Sequence, residues 1–371
     1  MSSLRILHTA DIHLDAPYRF LGEKGEAQRI QVRKTFENIC RLASSEYQLL
    51  LISGDLFDCN SVSDASAGRV ASLFSELSAS VCICPGTHDC MEDRSVYARP
   101  GVRWPANVRV FQKDETSIVF PELDLIVHAR ANTSNRSIES PLREIGRCGE
   151  TRWEVGMAHG SVVIPGKVEG ADFPIEREEI EGTNLDYVAL GHWHSWGDYT
   201  TGAVKAFYSG SPECLAFGGG RGVCAGVELK EDGVTVEARE IGCRRMEEVE
   251  LQITGVRDSD EIKRQIAALA DRELALRCAL NGVTDLSFKP DVDAIVSDLG
   301  DEFFHLQLED LSHPTSSKIG QDDFPEQLVI GKYVRLMSER IQQAQGDSET
   351  VATLEDALRL GVALLQGRKA I

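Results

Sequence analysis

The sequence lacks several patterns that would place it in a class at once. It has no run of the roughly 18–20 apolar residues that a membrane-spanning helix needs. Its first residues, MSSLRILHTADIH, lack the basic and apolar regions of a secretion signal, so we expect a cytoplasmic protein without membrane association. It also has no GxxxxGKS/T loop, and any linked ATP hydrolysis would therefore belong to another chain.

Cysteine pairs and excess positive charge are missing too. The ten cysteines show no CxxC pair and no disulfide-framework spacing, so they are expected to be reduced thiols that act as small apolar residues. The 39 lysines and arginines are outnumbered by 59 aspartates and glutamates, which gives a formal net charge of −20. This balance excludes a general basic coating for nucleic acid, but a nucleic-acid enzyme that contacts phosphate through metal ions or a partner remains open.

The sequence does have enough length, 371 residues, for two domains. Over residues 1–245, apolar runs alternate with amphipathic stretches: the runs include 4–8, 49–53 and 81–84, and the stretches 26–45 and 63–78. This alternation predicts parallel βαβ units, and the later runs, which lack long intervening helices, predict a pair of mixed sheets flanked by helices. Residues 246–371 change in character and read as strands with a helix over 258–272, followed by helices over 328–345 and 353–368.

Polar residues follow the ends of five apolar runs in the first segment. In chain order these are Asp11 and His13; Asp55 and Asp58; Thr87, His88 and Asp89; His159; and His192 and His194. Catalytic residues cluster where loops leave the carboxyl ends of strands, so we expect these side chains to meet. Five of the nine histidines fall in this set, and the other four, at positions 8, 128, 305 and 313, are expected to have structural roles.

These residue types suit a divalent metal. Carboxylates and imidazoles without cysteine favour Mn²⁺, Fe²⁺ or Zn²⁺. Asp11 and His13 are two residues apart in an extended segment and can address one centre, whereas His192 and His194 can address one centre or two neighbouring ones. Asp55 has the character of a carboxylate that bridges two ions ~3.5–4 Å apart.

The ordered set DxH, GDxxD, GxHD, H and GHxH resembles the motif series of the calcineurin-like metallophosphoesterases. The local sequences HTADIHLDAP, GDLFD, PGTHD and GHWH are similar to those of the SbcD/YhaO-type branch of DNA repair exonucleases. The resemblance covers residues 1–245 and implies a four-layer αββα core of two mixed sheets flanked by helices. For residues 246–371 it implies, from size and position, a smaller α+β capping domain.

The resemblance also implies a role for each motif residue. One metal would be held by Asp11, His13, Asp55 and His194, and the other by Asp55, His159, His192 and Thr87. His88, paired with Asp58, would orient the scissile phosphate or protonate the leaving oxygen, for which an imidazole has a suitable pKa. The expected cofactors are two divalent ions, Mn²⁺ first and Fe²⁺ or Zn²⁺ as alternatives. No substrate-binding residue is predicted.

Thr87 departs from the family pattern, in which asparagine stands before the histidine. The threonine hydroxyl is on a shorter arm and is a weaker donor than an amide carbonyl. It either ligates the second metal, acts through a water, or does not ligate at all. We hypothesise that the second metal binds more weakly than the first.

The resemblance implies a DNA exonuclease, with endonuclease activity as a further option. It also implies an SbcC-like coiled-coil ATPase partner and a homodimer. The strong negative charge keeps a second interpretation open, that of a phosphatase or phosphodiesterase for a small molecule or nucleotide. A third is a catalytically weak scaffold, favoured by Thr87 alone and opposed by the complete histidine set.

Overall fold

The computed structural model describes residues 3–164, 166, 170–285, 288–315, 319–320 and 323–367. The chain divides into two compact units, Met1–Arg245 and Met246–Ile371. None of the described helices is long and apolar enough to cross a membrane. All ten cysteines are described, and each is a free thiol.

The first unit contains fourteen strands and three α-helices among its described residues. The strands are β1 (Leu4–Thr9), β2 (Leu49–Ser53), β3 (Ser80–Cys84), β4 (Val108–Val110), β5 (Ser117–Phe120), β6 (Leu125–Ala129), β7 (Trp153–His159), β8 (Ser161–Val162), β9 (Pro174–Ile175), β10 (Tyr187–Gly191), β11 (Gly197–Asp198), β12 (Lys205–Tyr208), β13 (Val223–Lys230) and β14 (Gly233–Glu240). The helices are α1 (Gly25–Glu46), α2 (Asp64–Ser75) and α3 (Arg177–Gly182), with short 3-10 turns at Arg19–Lys24, Val96–Ala98 and Pro121–Leu123.

Two six-stranded mixed sheets form the core of this unit. The first has the order β14-β13-β1-β2-β3-β4, in which β1 to β4 are parallel and β13 and β14 are antiparallel. The second has the order β11-β12-β10-β7-β6-β5, with a parallel centre and antiparallel strands at both edges. Strands β2 and β3 of the first sheet contact β7 of the second, which confirms the predicted pair of packed mixed sheets.

The amphipathic stretches form helices because their apolar residues recur on one face. In α1, Val32, Phe36, Ile39 and Ala43 are buried at helical spacing, and in α2 Phe74 packs against Phe36 with ring centroids 5.7 Å apart. The central strands β2, β6 and β10 are buried along their whole length, as parallel strands covered on both faces are. The helices therefore flank the sheets as predicted.

The second unit is built from strands and helices in the order β15 (Arg245–Gln252), α4 (Ser259–Ala267), β16 (Leu274–Asn281), β17 (Val283–Asp285), α5 (Val292–Leu299), a 3-10 turn (Gly300–Glu302), β18 (His305–Asp310), β19 (His313–Thr315), α6 (Val329–Gln343) and α7 (Ser348–Leu365). A three-stranded sheet, β15-β16-β18, shares an apolar cluster with α4 and α5. Helices α6 and α7 pack on each other around Val334 and Val362. The helix predicted over 353–368 begins five residues earlier than expected, and residue 368 lies outside the described residues.

Candidate metal centre

The predicted ligands lie where parallel strands of both sheets end. Asp11 and His13 follow β1, Asp55 follows β2 and Thr87 follows β3, while His159 ends β7 and His192 follows β10. In each sheet the parallel strands point the same way, so their carboxyl ends share one edge. The two sheets bring these edges together, and the other six predicted ligands surround Asp55.

One group of ligands consists of Asp11, His13 and His194, whose donor atoms lie within 4.8 Å of one another. His194 Nε2 is 3.9 Å from Asp11 Oδ1. His13 is held by its other nitrogen, because Nδ1 lies 3.2 Å from Asp58 Oδ1. His13 Nε2 therefore faces the centre, where it is buried without a hydrogen-bond partner.

The other group consists of His159, His192 and Thr87. His159 Nδ1 donates to the main-chain oxygen of Ser53 over 2.8 Å, which leaves the Nε2 lone pair directed inward. That Nε2 is 3.3 Å from His192 Nδ1 and 3.5 Å from Thr87 Oγ1. Thr87 Oγ1 also lies 3.2 Å from Asp55 Oδ2. The threonine is thus at the centre, with its hydroxyl among the ligand atoms.

Asp55 stands between the two groups. Its Oδ2 is 3.7 Å from His13 Nε2 and 3.2 Å from His159 Nε2. Its Oδ1 accepts the main-chain N–H of His88 over 2.8 Å, which orients the carboxylate. A carboxylate oxygen that faces imidazoles of both groups can bridge two neighbouring ions.

The residues fit a cation, because carboxylate oxygens and imidazole nitrogens face one another at the centre, together with the Thr87 hydroxyl, which donates to Asp55 Oδ2. Without a metal ion, a proton on the His159 imidazole lies between these atoms. Burial lowers the pKa of His159, but Asp55, with Asp11 behind it, more than offsets this and raises that pKa to about 10. Conversely, burial would raise the pKa of Asp55, but His159 and His13 hold it below its usual value. A divalent ion satisfies the same atoms.

Four of the seven predicted ligands adopt a backbone conformation that is rare outside glycine. The φ angles are 53° at Asp11, 49° at His13, 53° at Asp55 and 106° at His192. Aspartate and histidine tolerate the left-handed region better than most residues, although His192 lies beyond its usual range. Such strain collects at functional sites, where the surrounding structure holds it.

Glycines in the same motifs leave room for the ligands. A Cβ added at Gly54 would lie 2.1 Å from His159 Nδ1, and one at Gly86 would lie 2.2 Å from Asp55 Oδ1. At Gly191 the Cβ would be 1.9 Å from the Ser53 oxygen that anchors His159. The glycines of GD, GTHD and GH are therefore required by close packing around the ligands.

His88 and Asp58 lie beside the first group of ligands. His88 Nδ1 is 2.8 Å from the main-chain oxygen of Asp58, to which it donates, whereas the Asp58 carboxylate is 4.0 Å away. That carboxylate lies closer to His13, at 3.2 Å. Hence the contact expected between His88 and Asp58 runs mainly through the backbone, and the carboxylate orients a predicted metal ligand.

Asp89 has a structural role behind the centre. Its buried carboxylate accepts N–H groups from Gly86 (2.8 Å), Asp55 (3.2 Å) and Phe57 (3.2 Å), and the Tyr97 hydroxyl at 2.5 Å. Burial first, and then the nearby Asp55 charge, raise the pKa of Asp89. The residue ties the loops after β2 and β3 together.

Sequence reasoning missed the groups that hold the ligands from outside. The Asn132 side chain donates to the main-chain oxygen of His159 over 3.0 Å, and Asp172 Oδ1 lies 3.1 Å from His192 Nε2. Asn132 follows the apolar run of β6, so its position offered a weak signal. Asp172 stands thirteen residues after His159, in no motif, and nothing in the sequence marks it.

Two of the four histidines for which a structural role is expected lie inside strands. His8 lies inside β1, fully buried, with Nδ1 2.8 Å from the Tyr187 hydroxyl. His128 lies in β6, with Nε2 2.9 Å from the buried carboxylate of Glu154. Neither belongs to the groups around Asp55.

A cavity of about 560 Å³ opens beside the first group of ligands. One wall carries polar residues of the centre: His13, Asp58, His88 and His194. The other wall includes Tyr18, Arg19 and the exposed ring of Phe20, which meets the ring of Phe217 edge-on at 5.7 Å. The centre is therefore accessible to a substrate, and the Arg19 guanidinium and the rings of Tyr18 and Phe20 line the cavity.

The chain is similar to a known protein family and to a curated bacterial protein. A family model described as calcineurin-like phosphoesterase matches residues 4–196, just over half of the chain. An uncharacterized metallophosphoesterase, YhaO of Bacillus subtilis (strain 168), is 25% identical in an alignment of 213 residues that covers 52% of this chain and 49% of that protein. The chain thus spans about half the length of this curated relative.

Two solved structures also show similarity. The protein TT1561 of Thermus thermophilus is 12% identical, with a TM-score of 0.38, and the match covers 64% of this chain and 99% of that one. A conserved uncharacterized protein of Streptococcus pneumoniae TIGR4, described as a predicted phosphoesterase, is 11% identical, with a TM-score of 0.31 and the same coverage.

Proposed function

We propose, starting from the fact that this chain belongs to the calcineurin-like phosphoesterase family, that it is a two-metal phosphodiesterase that hydrolyses DNA as an SbcD-like exonuclease. Metal-dependent phosphoester hydrolysis follows from the family and from the ligand cluster. The observation that carries the two-metal assignment is Asp55 Oδ2, which faces His13 on one side and His159 on the other.

The ligand groups divide the work between two cations. Asp11, His13 and His194 would hold one ion, His159, His192 and Thr87 the other, and Asp55 both. When bound, a pair of divalent ions neutralises phosphate oxygens and supplies a hydroxide from water near neutral pH. We propose Mn²⁺ as the native ion, because oxygen and imidazole ligands without thiolate suit it, with Fe²⁺ or Zn²⁺ as alternatives.

His88 would contribute to the reaction by donating a proton to the substrate. With Nδ1 donating to the Asp58 main-chain oxygen, Nε2 is the nitrogen left to serve a substrate. The imidazole side chain is half-exposed beside the open cavity, so it can reach a bound phosphodiester. In its protonated form, His88 donates the Nε2 hydrogen to the leaving oxygen or to a phosphate oxygen.

Two features support DNA as the substrate. The motif wording is similar to that of the SbcD/YhaO-type branch, and the cavity wall places Arg19 and Phe20 near the centre, where a phosphate and a base would find a cation and a ring. The net charge of −20 opposes independent binding to DNA. For that reason the proposal includes a coiled-coil ATPase partner of the SbcC type that supplies the grip, a homodimer, and a cytoplasmic location.

The experiment compares substrates on the purified protein with Mn²⁺. Linear duplex DNA, closed circular DNA, bis-p-nitrophenyl phosphate and p-nitrophenyl phosphate are tested side by side. We expect the diester to be cleaved, the linear duplex to be cleaved slowly in the absence of the partner, and the monoester to be spared; cutting of the closed circle would reveal endonuclease activity. Turnover of the monoester with intact DNA would overturn the nuclease assignment while leaving metal-dependent hydrolysis in place.

A second candidate is a phosphodiesterase for a small nucleotide. The acidic net charge favours it, because a small substrate needs only the local Arg19 and the metal ions rather than a basic surface. It predicts rapid turnover of cyclic or short nucleotides and no cleavage of duplexes. A catalytically weak scaffold is opposed by the complete histidine set and favoured by Thr87 alone.

A further inference from the structure

We propose that Trp193, Ser161 and Asp172 form a hydrogen-bonded relay that fixes the tautomer of His192 and directs its Nδ1 toward His159. The proposal rests on the proposed function, because it treats His192 as a ligand of the second cation. The three residues are positioning residues: they act on the ligand from outside and do not touch the reacting atoms.

The direction of the relay follows from its first member. An indole N–H can only donate, and Trp193 Nε1 lies 2.9 Å from Ser161 Oγ. The Ser161 hydroxyl therefore accepts from Trp193 and has its own hydrogen left to donate. Its next neighbour is Asp172 Oδ2, at 2.5 Å, and an ionised carboxylate only accepts. The hydrogen bonds thus run one way, from Trp193 to Asp172.

The relay ends on the imidazole of His192. Asp172 Oδ1 lies 3.1 Å from His192 Nε2, and since the carboxylate accepts, Nε2 must hold the hydrogen. In a neutral imidazole the lone pair is then on Nδ1, which lies 3.3 Å from His159 Nε2. When a cation displaces the proton from the centre, His159 Nε2 also presents a lone pair there, because its Nδ1 donates to Ser53. Two nitrogen acceptors converge on one point, as ligands of one ion do.

The relay has a rigid foundation in the second sheet. The Trp193 ring stacks on Tyr208, with centroids 5.3 Å apart and planes at 11°. The buried Tyr208 hydroxyl donates to the Gly160 oxygen over 2.6 Å and accepts the Val162 N–H over 2.9 Å. Ser161 lies between those two residues and is itself fully buried. The donor and the hydroxyl of the relay are therefore held by packing on both sides.

His192 needs such support more than the other ligands do. It follows β10 rather than belonging to it, and its φ of 106° lies outside the conformations that histidine favours. Its group also contains Thr87, a weaker ligand than the asparagine of the family. A carboxylate behind a ligating imidazole fixes the ring and makes the other nitrogen more basic. The relay accordingly strengthens binding of the second ion.

Calorimetric titration with Mn²⁺ tests the relay through affinity rather than activity. Asp172→Ala should weaken the second ion about 10- to 100-fold and leave the first unchanged. Asp172→Asn should lose less, because its amide oxygen still accepts the Nε2 hydrogen. The matched control is Asp198→Asn, which changes an exposed carboxylate and keeps the oxygen that accepts the Thr200 N–H; it should bind both ions as the wild type does.

Nitrogen-15 spectra of the imidazole rings in the metal-free protein give a second, independent readout. We expect His192 in the wild type to carry its hydrogen on Nε2. Trp193→Phe, which keeps the stacked ring and removes the donor, and Ser161→Ala should each shift His192 toward a mixture of tautomers. A wild-type hydrogen on Nδ1, or unchanged Mn²⁺ affinity in Asp172→Ala, would overturn the relay. If the wild type binds one ion only, the two-metal function fails, and the spectra alone decide the relay.

Discussion

Two fully buried histidines of the first unit behave in opposite ways. His8 lies inside β1, where burial lowers its pKa to about 3, and the backbone of Leu190 offsets this only in part. His159 lies at the end of β7, where burial also lowers the pKa, but Asp55 and Asp11 outweigh burial and raise it to about 10. The burial is equal, so the difference comes from the carboxylates at the ends of the strands.

Position along a strand, and not residue type, therefore separates structural histidines from those of the centre. Inside a strand, side chains alternate into packed layers and meet apolar neighbours or a single partner such as Tyr187. At the carboxyl ends the chain leaves the sheet, and loops from several strands contribute polar atoms to one point. At the ends of β1 and β2, Asp11 and Asp55 lie close enough to His159 for the three side chains to hold a cation.

The largest effect is expected from removing the charge of Asp55, the carboxylate that distinguishes the surroundings of His159 from those of His8. Asp55→Asn keeps the shape and the acceptor for the His88 N–H but removes the charge that faces both ligand groups. We expect kcat/KM on bis-p-nitrophenyl phosphate to fall by at least about a thousandfold, since loss of metal stabilisation costs several kcal/mol. Metal content, measured by mass spectrometry after dialysis, should fall in parallel. Two retained ions in this variant would contradict a bridging role.

A second test separates ligands from a histidine that only serves the substrate. His88→Ala should reduce kcat about 100- to 1000-fold because a proton donor is lost, while both ions remain bound. Steady-state kinetics with Mn²⁺ and a calorimetric titration on the same preparation measure the two effects. Unchanged kcat would show that His88 takes no part in catalysis; loss of an ion would mean that His88 is a ligand.

A third test concerns the weak member of the second group. Thr87→Asn should tighten binding of the second ion by about tenfold, because an amide oxygen reaches further and donates better than a hydroxyl. Thr87→Val, of nearly the same volume, is the matched control and should bind the second ion no better than wild type. Calorimetric titration with Mn²⁺ measures the affinity of the second ion in each variant. Two ions bound with equal affinity in the wild type would refute the hypothesis of a weak second site.

The smallest effect is expected in the pH dependence of stability that arises from His8. In the folded protein its pKa is about 3, against 6.5 in the unfolded chain, so the unfolded state binds more protons between these values. Stability is therefore complete above pH 6.5 and falls as the pH drops, by about 1 kcal/mol per pH unit. His8→Gln, which can still accept the Tyr187 hydroxyl, should flatten this slope in urea titrations from about pH 7 to 5. Parallel slopes in the two proteins would show that His8 contributes nothing.

Much of the first unit was predictable from local patterns. The apolar runs of β1, β2 and β3 and the helical spacing of α1 and α2 appear in the sequence within a few residues of their observed bounds, because each element buries one continuous face. The strand β14 was missed, since only Val234, Val236 and Arg239 of this edge strand are partly buried. Helix α5, eight residues long, was also too short to stand out.

Local sequence and the family resemblance predicted which residues meet at the centre. Polar motifs that follow successive parallel strands of one sheet share an edge, whereas the packing of the two sheets brings His159 and His192 to Asp55. How each ligand is held came from the folded arrangement alone: the Asp58 carboxylate turns to His13, Ser53 anchors His159, and Asp172 reaches His192. A hydrogen bond depends on tenths of an ångström between segments far apart in the chain, and no local pattern encodes that distance.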